Sequence, residues 1–197
     1  MNLDAVPWPV RPLDALEGGK IDLLLAPDPH MLPWDAERDE LYREGWICAV
    51  WSRSGMGERP APKPLTLSGY AKAEHLMVSP RAHFRTALDD GLSRLDIYRR
   101  SRVRVPYFGA ALACLPGTEL LLTLPASMRA LVERDPKLRL LQAPLGLPPL
   151  EVWMAWHPRL NDDARHVWLR ERMRAVHPAK CLPCSAAERQ NGAPFPR

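Results

Sequence analysis

The feature that most constrains this chain is an alternation of short apolar runs with amphipathic segments, punctuated by 22 prolines in 197 residues. Proline fixes φ and removes a backbone donor, so this density forbids long helices and requires many short elements joined by stiff loops. Short apolar runs bounded by turn signals read as buried strands, and the amphipathic stretches between them as covering helices. The pattern predicts an α/β chain built of βα units around mostly parallel strands.

Strands are expected over 21–26, 42–51, 75–79, 101–106, 119–124, 138–144 and 151–158. The 101–106 strand alternates polar and apolar residues, as a half-buried strand does. Gly18-Gly19 stops a short helix over 13–18, and Thr66 or Ser68 caps another over 65–73. Phe84, Ala87, Leu88, Gly91, Leu92 and Leu95 fall on one helix face. Helices are also expected over 107–115 and 125–134. A last one, N-capped by Asn161, runs to Val176 and buries Leu169, Met173 and Val176.

The stretch 75–143 holds four strands alternating with three helices, enough for a lobe of its own. The elements before 51 and after 150 are too few to stand separately, so they are expected to pair. This gives a first lobe of 1–51 plus 149–177, a second lobe of 52–148, and a disordered tail over 178–197. The chain then crosses twice between lobes, and two crossings beside one cleft form a hinge suited to closing on a small molecule.

Several function classes are excluded by pattern. No apolar run approaches the roughly 20 residues that span a bilayer. MNLDAVPWPVRPLD lacks the charged start and apolar centre of a signal peptide, so the chain reads as cytoplasmic with no membrane partner. The net charge of +4 is spread over mixed surface, except for Arg99, Arg100, Arg102 and Arg104, and reads as solvated. Pro7, Pro9 and Pro12 forbid a recognition helix near the start. The six histidines share no ligand spacing, and HExxH, GxSxG, P-loop and GxGxxG motifs are all missing from the sequence. No catalytic residue, metal or cofactor is expected, and the chain reads as a non-enzyme. Cys48 and Cys114 lie in apolar runs and read as small buried hydrophobes. His177, Cys181 and Cys184 could supply three zinc ligands or a redox pair, but no fourth ligand is near and the segment is proline-rich.

The order of short motifs carries a resemblance. ALEGGKIDLLLAPD (15–28), LYREGWICAVWSRSG (41–55), HLMVSPR (75–81), VRVPYFGAALACLPGTELLLTLPASM (103–128) and EVWMAWHPRLNDDARHVWLRERM (151–173) follow one another as they do in LysR-type transcriptional regulators. The chain thus resembles the effector-binding half of that family over roughly residues 13–176. The resemblance implies two Rossmann-like lobes joined by a double crossover, the type 2 periplasmic-binding-protein fold. It also implies a small-molecule effector held between lobes and self-association as dimer or tetramer. The family's DNA-reading domain, and the first strand and helix of its first lobe, lie upstream of where this sequence begins. The first lobe is therefore expected to be incomplete, and DNA binding to need that missing N-terminal domain.

Ligands in open α/β sheets sit at the carboxyl ends of strands. Ser79, Pro80 and Arg81 follow one expected strand, and Pro106 and Phe108 follow another. Thr123 ends a third, and the turn at Pro27 and Asp28 is expected to supply the facing wall from the first lobe. A small aromatic or carboxylate ligand fits these groups. A solute-binding protein of the same fold is the alternative, and a zinc or redox module using the CxxC tail is a further one.

Overall fold

The computed structural model describes residues 2–56, 65–79 and 86–176. Its contacts divide the chain into two units, residues 2–43 with 151–176 and residues 44–150. Each is built around its own sheet.

The second unit is dictated by the run Trp46–Trp51 (β3). Ile47 and Ala49 join one apolar cluster, whereas Cys48 and Val50 join another. Side chains alternate along a strand, so β3 is apolar on both faces and is stable only in a sheet covered on both sides. The five-stranded sheet supplies that place. Its order is β5 (Arg100–Val105), β4 (Glu74–Val78), β6 (Leu121–Pro125), β3 and β7 (Leu138–Gln142). Helix α4 (Phe108–Cys114) packs on the face with Ala49 and Leu76, and α5 (Arg129–Glu133) adds Val132 there. Helices α2 (Leu67–Lys72) and α3 (Ala87–Ser93) bring Tyr70, Leu88 and Leu92 to the face with Cys48.

Three local expectations are corrected here. The single strand over 42–51, assigned to the first lobe, is two strands in different sheets: β2 (Glu37–Glu44) and β3. The break falls where the buried Glu44 carboxylate accepts the Ser127 N–H and hydroxyl, at 2.6 and 3.0 Å. The sheet is also mixed rather than mostly parallel. β4 runs parallel to β5 and β6, but β3 is antiparallel to both β6 and β7. Finally, β5 is exposed along most of its length because it is an edge strand.

Caps set the helix starts. Thr66 accepts the Gly69 N–H at 3.1 Å, and Thr86 with Asp89 forms a reciprocal capping box at α3. Gly91 allows α3 to lie against Pro148, which any Cβ at that position would meet.

In the first unit the sheet order is β1 (Leu24–Ala26), β8 (Leu150–Trp156) and β2. Helix α1 (Pro12–Glu17) buries Leu16 with Leu24, Ala26 and Ala155 on one face. Leu41, Met154 and Trp156 form the other cluster. The last helix, α6 (Ala164–Val176), does not bury the residues its apolar spacing singled out. Val176 is exposed, and Leu169 and Met173 are only half-buried. His166 and Arg170, one turn apart, take the inner face instead. Arg170 lies 4.5 Å over the Trp156 ring and donates to the carbonyls of Leu160 and Asn161 at 3.0 and 2.9 Å. It also donates to His166 Nδ1 at 2.7 Å, so His166 carries its proton on Nε2 and gives it to the Asp22 carbonyl at 2.9 Å. Asn161 is not the cap of α6. It accepts the Trp156 indole N–H, and Asp163 accepts the His166 N–H at 2.8 Å in its place.

Arg170→Leu strips partners from two carbonyls and one imidazole at once. It is expected to cost about 2–4 kcal/mol of stability in urea denaturation. A loss under about 0.5 kcal/mol contradicts this assignment.

Candidate functional site

Because β5, β4 and β6 are mutually parallel neighbours, their carboxyl ends lie along one edge of the second unit's sheet. Val78 pairs with Val105, and the next amide, Ser79 N–H, donates to the Val105 carbonyl at 2.9 Å. Ser79 is therefore buried directly beyond β4, beside exposed Pro106 beyond β5. His75 and Leu76 pair with Leu121 and Leu122, and continuing that register brings Thr123 level with Met77. Thr123 thus sits inside the edge and not on its rim.

The sheet's two faces sort the remaining candidates. Val78, Val105 and half-buried Phe108 pack on the cluster containing Leu76 and Leu124. Thr123 projects to the opposite face, where its hydroxyl meets Tyr70 Oη at 2.8 Å and Cys48 Sγ at 4.0 Å. Alternation from His75 through Met77 carries Ser79 to this second face as well. Ser79 lies beside Pro106 at this edge, whereas Phe108 packs on the cluster of the other face. Pro27 and Asp28 belong to the first unit. Asp28 accepts the His30 N–H at 2.8 Å and caps a 3-10 turn over Pro29–Met31. Pro80, Arg81, His177, Cys181 and Cys184 lie outside the described residues, as does the expected tail.

A buried polar chain behind Thr123 is the feature that sequence reasoning missed. Arg99, expected on a solvated basic surface, has a side chain only 6% exposed and is forked onto Asp89 at 2.9 and 2.6 Å. It also donates to Thr86 Oγ1 at 3.2 Å and to Tyr70 Oη at 3.5 Å. The Thr86-x-x-Asp89 capping pattern was the available signal. Arg102, in contrast, forms a surface pair with Glu74 at 2.7 Å.

Burial and this cation set the local proton affinities. Burial alone would raise the Asp89 carboxyl, but Arg99 and the Thr86 hydroxyl and amide outweigh it and hold it below the usual range. Burial pushes the Tyr70 phenol and the Cys48 thiol each up to about 12, so both keep their hydrogens. His75 is fully buried and donates Nε2–H to the Tyr70 carbonyl at 2.8 Å, which leaves its Nδ1 without a partner. Burial lowers His75 from 6.5 to about 4, with Arg99 acting in the same direction and the Tyr70 carbonyl opposing. Among the described residues no group of three or more His, Cys, Asp or Glu side chains is placed to hold a metal ion. No helix there is long and apolar enough to cross a membrane.

The family described as "LysR substrate binding domain" matches residues 6–178. This chain belongs to that family. Its relatives include the HTH-type transcriptional activator NahR of Pseudomonas putida, 27% identical over 82% of this chain and 52% of that protein. The HTH-type transcriptional regulator LinR of Sphingobium indicum is 29% identical over 85% of this chain and 54% of its own length. Among solved structures, the probable transcriptional regulator PA0477 from Pseudomonas aeruginosa aligns with a TM-score of 0.68 at 29% identity, covering 83% of this chain and 52% of that one. The LysR domain described here thus spans about half the length of the relatives it matches. It has their periplasmic-binding-protein-like α/β fold, with two sheets and two passages of the chain between units.

His75 gives this LysR domain a pH signature. A folded-state value below the unfolded one means that the stabilising state is neutral, so stability is complete above pH 6.5 and is lost as pH falls toward 4. Between pH 7 and 5 the loss from this group is about 2 kcal/mol. His75→Gln is expected to shrink the pH dependence of the denaturation midpoint by that amount, and an unchanged dependence contradicts the burial argument.

Proposed function

We propose that this chain is the effector-sensing domain of a LysR-type transcriptional regulator, binding a small aromatic molecule at the carboxyl ends of β4, β5 and β6. What supports the reading is that Ser79, Pro106 and Phe108 each follow the carboxyl end of a strand in a parallel trio, in a chain of this family. Such an edge offers an aromatic wall from Phe108, a rigid corner from Pro106 and a buried hydroxyl from Ser79. Pro80 and Arg81 are included in the proposal because they follow Ser79 in the sequence.

Working as a sensor, the domain performs no chemistry on the ligand. It converts binding energy into a change of conformation, which requires only that the ligand favour one conformation over another. Its partners are the effector and further copies of itself, as dimer or tetramer. DNA is contacted by a separate reading domain of the whole protein, in keeping with the HTH-type names of NahR and LinR. A regulator of this kind works in the cytoplasm. Those same names favour it over a solute-binding protein.

A thermal-shift series with benzoate, phenol, acetophenone and aniline tests the reading. Saturation at a hundred times Kd adds about 2.7 kcal/mol and raises Tm by roughly 5–10 °C. At least one probe is expected to do so, and Phe108→Ala is expected to abolish most of the ligand-induced shift. A well-folded protein that no small aromatic probe stabilises overturns the reading.

A further inference from the structure

Helix α6 turns His166 and Arg170 inward, and its opposite side differs from the rest of the first unit's surface. Each residue of a helix is rotated by about 100° from the last, so Arg165, Trp168, Arg172 and Val176 fall on that outer side. All four are exposed, Trp168 at 46%. Tryptophan and arginine are the side chains that most often anchor protein interfaces.

The two arginines beside Trp168 stand apart from the others of their unit. Arg11, Arg43 and Arg174 are ion-paired with Asp14, Glu40 and Asp39. Arg38 and Arg159 donate to backbone carbonyls, and Arg170 is enclosed by its own acceptors. Arg165 and Arg172 meet neither a carboxylate nor a carbonyl among the described residues. Arg172 instead lies 5.7 Å over the Trp168 ring. A guanidinium over an indole face keeps its N–H donors free to fork onto a carboxylate.

We infer that this face of α6 is a docking surface for an acidic segment of another protein, whose carboxylates fork onto Arg165 and Arg172 while an apolar side chain covers Trp168. The spacing suits an extended partner. Seven helical residues separate the two arginines by about 10 Å, with Trp168 between them. Extended chain rises about 3.3 Å per residue, so carboxylates three residues apart, with an apolar residue between, span the same distance. Nucleic acid fits less well. Two cations neutralise few phosphates, and exposed Asp162, Asp163 and Glu171 border the face. This surface lies on the first unit and the proposed effector edge on the second, so either reading can fail alone.

The probe is a fluorescent peptide carrying Glu-Pro-Leu-Glu between Gly-Ser flanks, titrated with the whole chain at low salt and followed by anisotropy. Saturable binding is expected, weakened about tenfold by Arg165→Gln, by Arg172→Gln or by Trp168→Ala. A peptide with Gln in place of both Glu is expected to bind as weakly. These exposed substitutions are expected to leave the urea midpoint unchanged, so a loss of binding is not a loss of fold. No binding of the acidic peptide, or equal binding by wild type and the Arg165→Gln/Arg172→Gln double variant, overturns the proposal. Tighter binding of an oligo-dT of matched charge, lost in the double variant, overturns it by assigning the face to phosphates. Self-association that the double variant loses overturns it by assigning the face to a second copy.

Discussion

The second unit depends on one constraint: β3 is apolar on both faces and must be covered on both. Inserted between β6 and β7, it brings Leu122 and Leu124 to one apolar layer and Leu121 to the other, all fully buried. Burying each such leucine contributes about 1.5–3 kcal/mol, far more than any single polar contact here. Once β6 is held there, β4 and β5 can add only on its free side. Their parallel pairing then brings three carboxyl ends to one edge, so the candidate site follows from the packing.

Each unit buries an arginine, and the two are stabilised differently. Arg99 is forked onto Asp89, so its desolvation is offset by an opposite charge at hydrogen-bond distance. Arg170 faces carbonyls, an imidazole nitrogen and the Trp156 ring. Donor bonds and the ring's negative face take the place of a carboxylate, as Arg accepts more readily than Lys. The first arrangement leaves a polar chain running to the middle of the sheet. The second ties α6 to β8 and to the Leu160–Asn161 turn.

Strand and helix positions were largely legible because they follow local rules. The βα alternation after residue 75, the Thr66 cap and the strand ends at Ser79 and Pro106 all come from apolar runs and turn chemistry. What was not legible depended on partners distant in sequence. ERDELYRE does not look like a strand because only Leu41 and Glu44 are buried in it. Glu44 is satisfied by Ser127, 83 residues away. Arg99 looked like part of a basic surface until Asp89 and Thr86 enclosed it. The inner face of α6 was misjudged because an arginine and a histidine with internal partners outcompeted valine and methionine. Among the site residues, the strand-end placement of Ser79, Pro106 and Phe108 was readable. The inward turn of Thr123 was not, because it depends on Tyr70 from another element.

These features give the second unit a sheet covered on both faces with one chemically differentiated edge, in a chain that belongs to the LysR substrate binding domain family. The most direct test is a map of backbone amide shifts as benzoate or acetophenone is titrated into the isotopically labelled domain. The account predicts saturable shifts centred on Ser79, Tyr107, Phe108 and Leu124, falling off toward the amino ends of the same strands. Saturable shifts centred on α6 or on β7, with the β4–β5–β6 edge silent, would contradict it.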